Sequence, residues 1–304
     1  MPLLKVQDIE KHKTLAFAKV RPEPTKVLLA YPDYFEVMDV KNPYMSKYIG
    51  QTNKNLAFSQ WKSLLGHYKA LQEEGILEEI KILPGQPGLP DMVFCANQSF
   101  PWLSNGKKQV LLSNMAYTAR QKEIVFFEQF FIDKGYTISR INAKHTIEGM
   151  GDLIPVPGSD IIFAGFGKRT SIEAIDTVSS MFKVPIIPLY LQSDFFYHLD
   201  TCFLPLDKDT VFFGANAFDL EGIKALNSFF KNLIEIPENE AISTFGLNAH
   251  IIHAPRNKTI AIIDQEAKMM IKLLSDQGVR VLKTDTSEFR KSGGSVFCMK
   301  MMYY

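Results

Sequence analysis

Cysteine is scarce in these 304 residues: Cys95, Cys202 and Cys298 cannot all pair with one another, so at least one thiol is expected to be free. None stands in a CxxC arrangement, which argues against zinc or dithiol redox chemistry. Long apolar runs are missing as well. Met1 to Lys13 carries charges throughout, so no signal peptide is expected, and no run approaches the ~18 apolar residues of a membrane span. The expectation is a cytoplasmic protein with no membrane partner. Charge of one sign is also lacking, because 34 basic and 33 acidic residues leave a net +1. Without a basic block to neutralise a phosphate backbone, nucleic acid is not an expected partner.

What is present is core-forming material, 46% hydrophobic and 22% charged, with nothing to suggest disorder. Helix-period apolar positions predict helices over 56–75 (Trp61, Leu64, Leu65, Tyr68 and Leu71 on one face) and 118–134, with weaker patterns at 171–182, 220–232 and 265–277. A short β-rich run follows each, at 78–83, 136–141, 184–191, 233–237 and 279–284. Strand-like runs precede each, at 26–32, 91–97, 152–166, 209–218 and 250–263. The order strand, strand, helix, strand thus recurs five times, with faint self-similarity in FCANQSF, FGANAF and FGLNAH. Repeats at this spacing predict a closed ring of α/β modules with a polar channel, a single domain over 1–304, in preference to a doubly wound sheet or two unrelated α/β domains.

Four short islands could carry chemistry. In KSGGSVFCMKMMYY, Gly293 and Gly294 free the backbone just before Cys298, which is read as lying on an apolar strand. In FFYHLDTCF, strand alternation would put His198 and Asp200 on one face. HTIEGMGDLI is a glycine-interrupted loop with Glu148 and Asp152 opening a strand, and LPDMVFCANQ begins a strand at Asp91 that ends at Asn97. Each alone reads equally well as ordinary structure: a buried thiol, a solvated face, turn carboxylates. Together they offer a nucleophile, a base and carboxylates suited to a planar guanidinium. His250 and His253 would face opposite sides of a strand, so they are read as structural and no metal is expected.

These four islands, in this order, resemble the guanidino-group-modifying enzyme superfamily, which includes arginine deiminases, dimethylarginine dimethylaminohydrolases, arginine dihydrolases and amidinotransferases. The resemblance runs from YPDYFEVMDVKNPYM to GGSVFCMKM. It implies the five-bladed α/β propeller, or pentein, fold and a reaction needing neither metal nor cofactor. It further implies that Cys298 forms a covalent thiouronium intermediate, that His198 acts as general acid and then activates water, and that Glu148 orients the histidine. Asp91 and Asp200 would receive the guanidinium, and Arg169 and Arg120 match arginines that hold the substrate carboxylate.

Two departures from dimethylargininases narrow the substrate, one of them Asp200, since the residue after the histidine–leucine pair is not acidic in some of those enzymes. Where dimethylargininases end the run from the Asp91 position in two acidic residues, this chain has Ala96 and Asn97. Asn97, with Asn42 in NPYM, looks more like the arginine dihydrolase branch, so both are expected at the substrate. The expectation is a hydrolase of arginine or a substituted arginine. The alternatives are an amidinotransferase, which shares the covalent half-reaction, and a catalytically silent binding module, which would not need to keep Cys, His and Glu. A homodimer through exposed aromatic residues is a further expectation.

Overall fold

The computed structural model describes residues 3–16, 21–104, 106–255 and 258–304. The chain divides into two compact units, Met1–Glu23 with Asn97–Glu238, and Pro24–Ala96 with Asn239–Tyr304. Among the described residues the first contains three three-stranded sheets and the second two. All five share one plan, a central strand paired antiparallel on one side and parallel on the other. A helix bridges each parallel pair, as such a crossover requires.

In the first unit the sheets are Ser99–Ser104, Lys107–Leu112 and Thr137–Ser139; Leu153–Pro155, Ile162–Phe166 and Ile186–Tyr190; and Phe203–Pro205, Thr210–Gly214 and Asn232–Ile236. Their crossover helices include Ile124–Asp133, Ile172–Phe182 and Leu220–Phe229. In the second unit His250–Ala254, Lys258–Asp264 and Arg280–Thr284 form one sheet, with helix Lys268–Asp276. The remaining sheet is assembled from both ends of the chain: Lys26–Ala30 pairs parallel with Glu79–Leu83 across helix Lys54–Glu73, and antiparallel with Met301–Tyr303. The last strand therefore completes the module that the first begins.

The helix patterns land close to their expected spans, with one division. The 118–134 segment is two helices, Thr118–Gln121 and Ile124–Asp133, separated where Glu123 turns in to Arg120. Three strand expectations are corrected. Residues 91–97 form successive 3-10 turns, Pro90–Val93 and Cys95–Asn97, and the strand starts only at Ser99. Pro90 opens the first turn with its fixed φ, and the continuous burial of 91–97 gives no period-2 signal to tell strand from turn. His198 precedes a 3-10 turn, Leu199–Thr201, rather than sharing a strand face with Asp200. Cys298 lies in a turn, ahead of the strand Met301–Tyr303. The 250–263 run is a hairpin whose middle, 256–257, lies outside the described residues.

Aromatic packing dominates both cores. In the first unit Phe163 meets Phe203, Phe229 and Phe230 with ring centroids 5.0, 5.2 and 5.4 Å apart. In the second, Phe35 packs on Phe94 and Phe289 at 5.8 and 4.8 Å. Among the described residues no helix is long and apolar enough to cross a membrane. Because Phe163 is fully buried in its cluster, Phe163→Ala is expected to lower unfolding free energy by about 3 to 5 kcal/mol in urea titrations. Leu220→Ala, at a largely exposed side chain, should stay within about 0.5 kcal/mol of the parent.

Candidate active site

In the first unit the sequence HTIEGMGD folds as a single helical turn, Gly149–Asp152, that aims two fully buried carboxylates in different directions. Glu148, just ahead of the turn, accepts the Ala116 N–H at 2.9 Å on Oε1 and His198 Nε2 at 2.6 Å on Oε2. Arg169 Nη1 lies 3.5 Å from the same Oε2. Burial works hardest against the Glu148 charge, but the His198 hydrogen bond and the positive charges of His198, Arg169 and Arg120 outweigh it and bring its pKa down to about 2. Glu148 is thus an anion at any ordinary pH. A carboxylate only accepts hydrogen bonds, so the pairing keeps a proton on Nε2 and leaves Nδ1 as the acceptor nitrogen. Nδ1 faces Asn97 Nδ2 at 3.5 Å.

Asp152 braces this arrangement from behind. Its Oδ1 accepts the Leu199 N–H at 3.0 Å, and its Oδ2 accepts the Thr170 hydroxyl at 2.6 Å. The same hydroxyl accepts the Glu148 N–H at 3.1 Å, so Thr170 joins the Asp152 carboxylate behind the histidine turn to the Glu148 backbone in front. Burial raises Asp152 to about 6, against the lowering effects of His198, Thr170 and the Leu199 N–H. Gly151 has to be glycine, because a methyl there would collide with the Asn97 amide and crowd His198 Cγ at 3.3 Å.

Asn97 is held from its other end. Arg120 Nη1 donates to Asn97 Oδ1 at 2.9 Å, while Arg120 Nε and Nη2 donate to Glu123 at 3.2 and 3.0 Å. Glu123 in turn accepts from Gln98 Nε2 at 2.6 Å. Arg169 is stacked over Tyr117 and Tyr197, 4.5 and 5.0 Å from their ring centroids. Asp200 is buried in the turn after His198, and Cys202 close by has its thiol pKa pushed well up by burial and by Asp200 and Asp152, which leaves it inert.

In the second unit Cys298 is cradled by Asn248. The Cys298 and Ser295 N–H groups donate to Asn248 Oδ1 at 3.2 and 3.1 Å, and Asn248 Nδ2 lies 3.1 Å from Cys298 Sγ. An amide donor aimed at sulfur favours the thiolate, the reactive form. Gly293 adopts φ +85°, and a side chain at Gly294 would overlap the Phe94 ring, so backbone conformation requires the first glycine and packing the second. Asp91 is buried, 3.1 Å from Lys41 Nζ and 3.5 Å from the Ser292 hydroxyl. Asn42 Nδ2 donates to the Ser292 carbonyl at 3.0 Å. Of the two histidines read as structural, His250 is buried, 3.0 Å from the Tyr68 hydroxyl, and burial depresses its pKa.

The structure therefore brings together Glu148, His198, Asn97, Arg120 and Arg169 in one unit, and groups Asp91 and Asn42 about Ser292 in the other, where Cys298 lies against Asn248. Sequence reasoning missed Thr170, Glu123, Asn248 and Lys41. A signal for Asn248 existed, since FCANQSF and FGLNAH put Asn97 and Asn248 at matching places in two repeats.

A family model described as N,N dimethylarginine dimethylhydrolase, eukaryotic, matches residues 31–303. The chain belongs to this family. Among its relatives, the bifunctional arginine dihydrolase/ornithine cyclodeaminase AgrE of Nostoc sp. is 29% identical over 280 residues, 91% of this chain and 37% of AgrE. The dimethylarginine dimethylaminohydrolase of Mycobacterium tuberculosis is 27% identical over 281 residues, 92% of this chain and 86% of that enzyme. The chain thus spans about a third of the bifunctional relative and most of the monofunctional one. Among solved structures, the N-terminal domain of ArgZ, a cyanobacterial arginine dihydrolase captured with substrate in a cysteine-to-serine variant, superposes with TM-score 0.82 at 26% identity, covering 91% of this chain and 97% of that domain. The same domain has also been solved covalently bound to a reaction intermediate. The guanidino-modifying resemblance read from the four islands is the one these matches support.

Two outcomes test this geometry. A carboxyl whose folded pKa exceeds its unfolded value favours the folded state below the unfolded value and loses that contribution as pH rises through the folded one. Between pH 5 and 7.5 the native protein should lose about 1 kcal/mol relative to Asp152→Asn in urea titrations, because Asp152 releases its proton near 6. A constant difference would remove Asp152 as a titrating group. Asn248→Ala is expected to slow iodoacetamide alkylation of Cys298 about tenfold at neutral pH, and an unchanged rate would show that the amide does not stabilise the thiolate.

Proposed function

We propose that the protein hydrolyses the guanidino group of L-arginine, with Cys298 as nucleophile and His198, oriented by Glu148, as the acid and base. The observation that carries this reading is the buried 2.6 Å pairing of His198 with a carboxylate that stays ionised, in a chain of this family. The five like modules support a further expectation, closure as five blades around the substrate, with the whole chain as one catalytic domain.

In the proposed sequence Cys298 Sγ attacks the guanidino carbon and forms a C–S bond. The C–N bond to a terminal nitrogen breaks, and His198 supplies the proton with which ammonia leaves. His198, now neutral, takes a proton from water, whose oxygen attacks the thiouronium carbon, and expulsion of the thiolate gives citrulline. A second passage at the same carbon, before that citrulline leaves the site, consumes another water and yields ornithine, carbon dioxide and a second ammonia. Asp91 and Asp200 serve as receivers of the guanidinium, Arg169 and Arg120 of the substrate carboxylate, with Asn97 and Asn42 as further contacts.

Unmethylated arginine is favoured by what replaces the acidic pair. Ala96 is apolar, and Asn97 offers one amide, its oxygen taken by Arg120 and its nitrogen turned to His198. The arginine dihydrolase relatives support the same choice. Incubation of the purified protein with L-arginine, following citrulline, ornithine and ammonia, is expected to yield ornithine and two ammonia per arginine, and none with Cys298→Ser. Citrulline with one ammonia would make the enzyme a deiminase. Absence of any Cys298-dependent product would reject arginine as the hydrolytic substrate.

A further inference from the structure

The segment between the strand Lys26–Ala30 and the helix Lys54–Glu73 is inverted in character. Met38, Val40 and Ile49 stand about half exposed or more, whereas Lys41 among them turns inward, its side chain only 6% exposed. A lysine is buried only where something answers its charge. Its Nζ lies 3.1 Å from Asp91 Oδ2, and it also pairs with Asp39, whose side chain is 56% exposed. Burial opposes the ammonium most strongly, but Asp91 and Asp39 more than restore it and hold the lysine pKa above its ordinary value.

The backbone is secured without help from that ammonium. Asn42 Nδ2 donates to the Ser292 carbonyl at 3.0 Å, the Tyr44 N–H to Asn42 Oδ1 at 3.1 Å, and the Gly50 N–H to the Val37 carbonyl at 2.9 Å. A four-carbon stem allows the ammonium to swing while this frame stays in place. One of its partners is buried and the other opens to solvent, so a path from Asp91 outward already has a carboxylate at its far end.

We propose that Lys41 is a specificity-determining residue: its ammonium occupies Asp91 in the substrate-free protein, and a guanidino substrate binds by displacing it onto Asp39. This rests on the reading of Asp91 as the guanidinium receiver. A planar cation with paired donors competes well for a carboxylate held by a single-point ammonium. A neutral ureido side chain gains no ion pair in exchange for the one it breaks, so the exchange selects for cationic substrates over neutral ones.

The test is steady-state kinetics with L-arginine for the native protein, Lys41→Gln and Asp39→Asn, with calorimetric titration of arginine into each on a Cys298→Ser background. Lys41→Gln is expected to lower KM and the dissociation constant about five-fold, with kcat changing far less. Asp39→Asn is expected to raise both about two-fold or more, since the displaced ammonium then loses the outer carboxylate that receives it. Asp39 is exposed, so this arm remains decisive should Lys41→Gln fail to fold. An unchanged or raised KM in Lys41→Gln, or a lowered one in Asp39→Asn, overturns the proposal while leaving arginine hydrolysis intact. If the native protein neither turns over nor binds arginine, the functional reading fails and the role of Lys41 with it.

Discussion

A carboxylate with no exposed surface is costly unless positive charge and hydrogen bonds surround it, and Glu148 meets that condition by gathering its neighbours. One oxygen takes a backbone N–H, the other an imidazole and, farther off, a guanidinium. The same contacts fix the tautomer of His198 and set Nδ1 against Asn97. Thr170 and Asp152 then tie the two turns together, so the orientation of the imidazole follows from satisfying a buried charge. Loss of Glu148 would release the histidine, and with it the reason for Gly151, which leaves room for His198 and Asn97 to meet.

The two buried carboxylates in this turn answer opposite demands. Glu148 lies among cations and falls to about 2, whereas Asp152 is raised to about 6 by burial, which its hydrogen bonds from a hydroxyl and a backbone N–H only partly offset. Separation of this kind between neighbouring groups is how one site keeps a permanent anion beside a group able to exchange a proton. The second unit repeats the principle with different partners. Asn248 directs an amide at the Cys298 sulfur, and Asp91 is neutralised by Lys41 rather than left bare.

Much of this was legible in the sequence. The five-fold order of strands and helices could be read because each crossover helix shows its 3.6-residue period and each parallel strand its β-branched run. Glycines announced the turn at Glu148 and the turn ahead of Cys298. Legibility failed where burial is nearly continuous: 91–97, 197–203 and the residues before Met301 turn polar and apolar side chains alike inward, and a run buried on all sides carries no period-2 signal to tell a strand from a turn. Thr170 and Lys41 were invisible for another reason. Their roles come from partners distant in sequence or from an inward turn of an otherwise exposed segment, and no local pattern records either.

The central claim is that Cys298 carries the substrate covalently while His198 moves the protons. Rapid quenching of the native protein with L-arginine, followed by peptide mass spectrometry, tests it most directly. The predicted result is an adduct on the Cys298 peptide with the mass of arginine less ammonia, forming within the first turnover and decaying as product appears. No adduct at any quench time, or one on Cys95 or Cys202 instead, would contradict it.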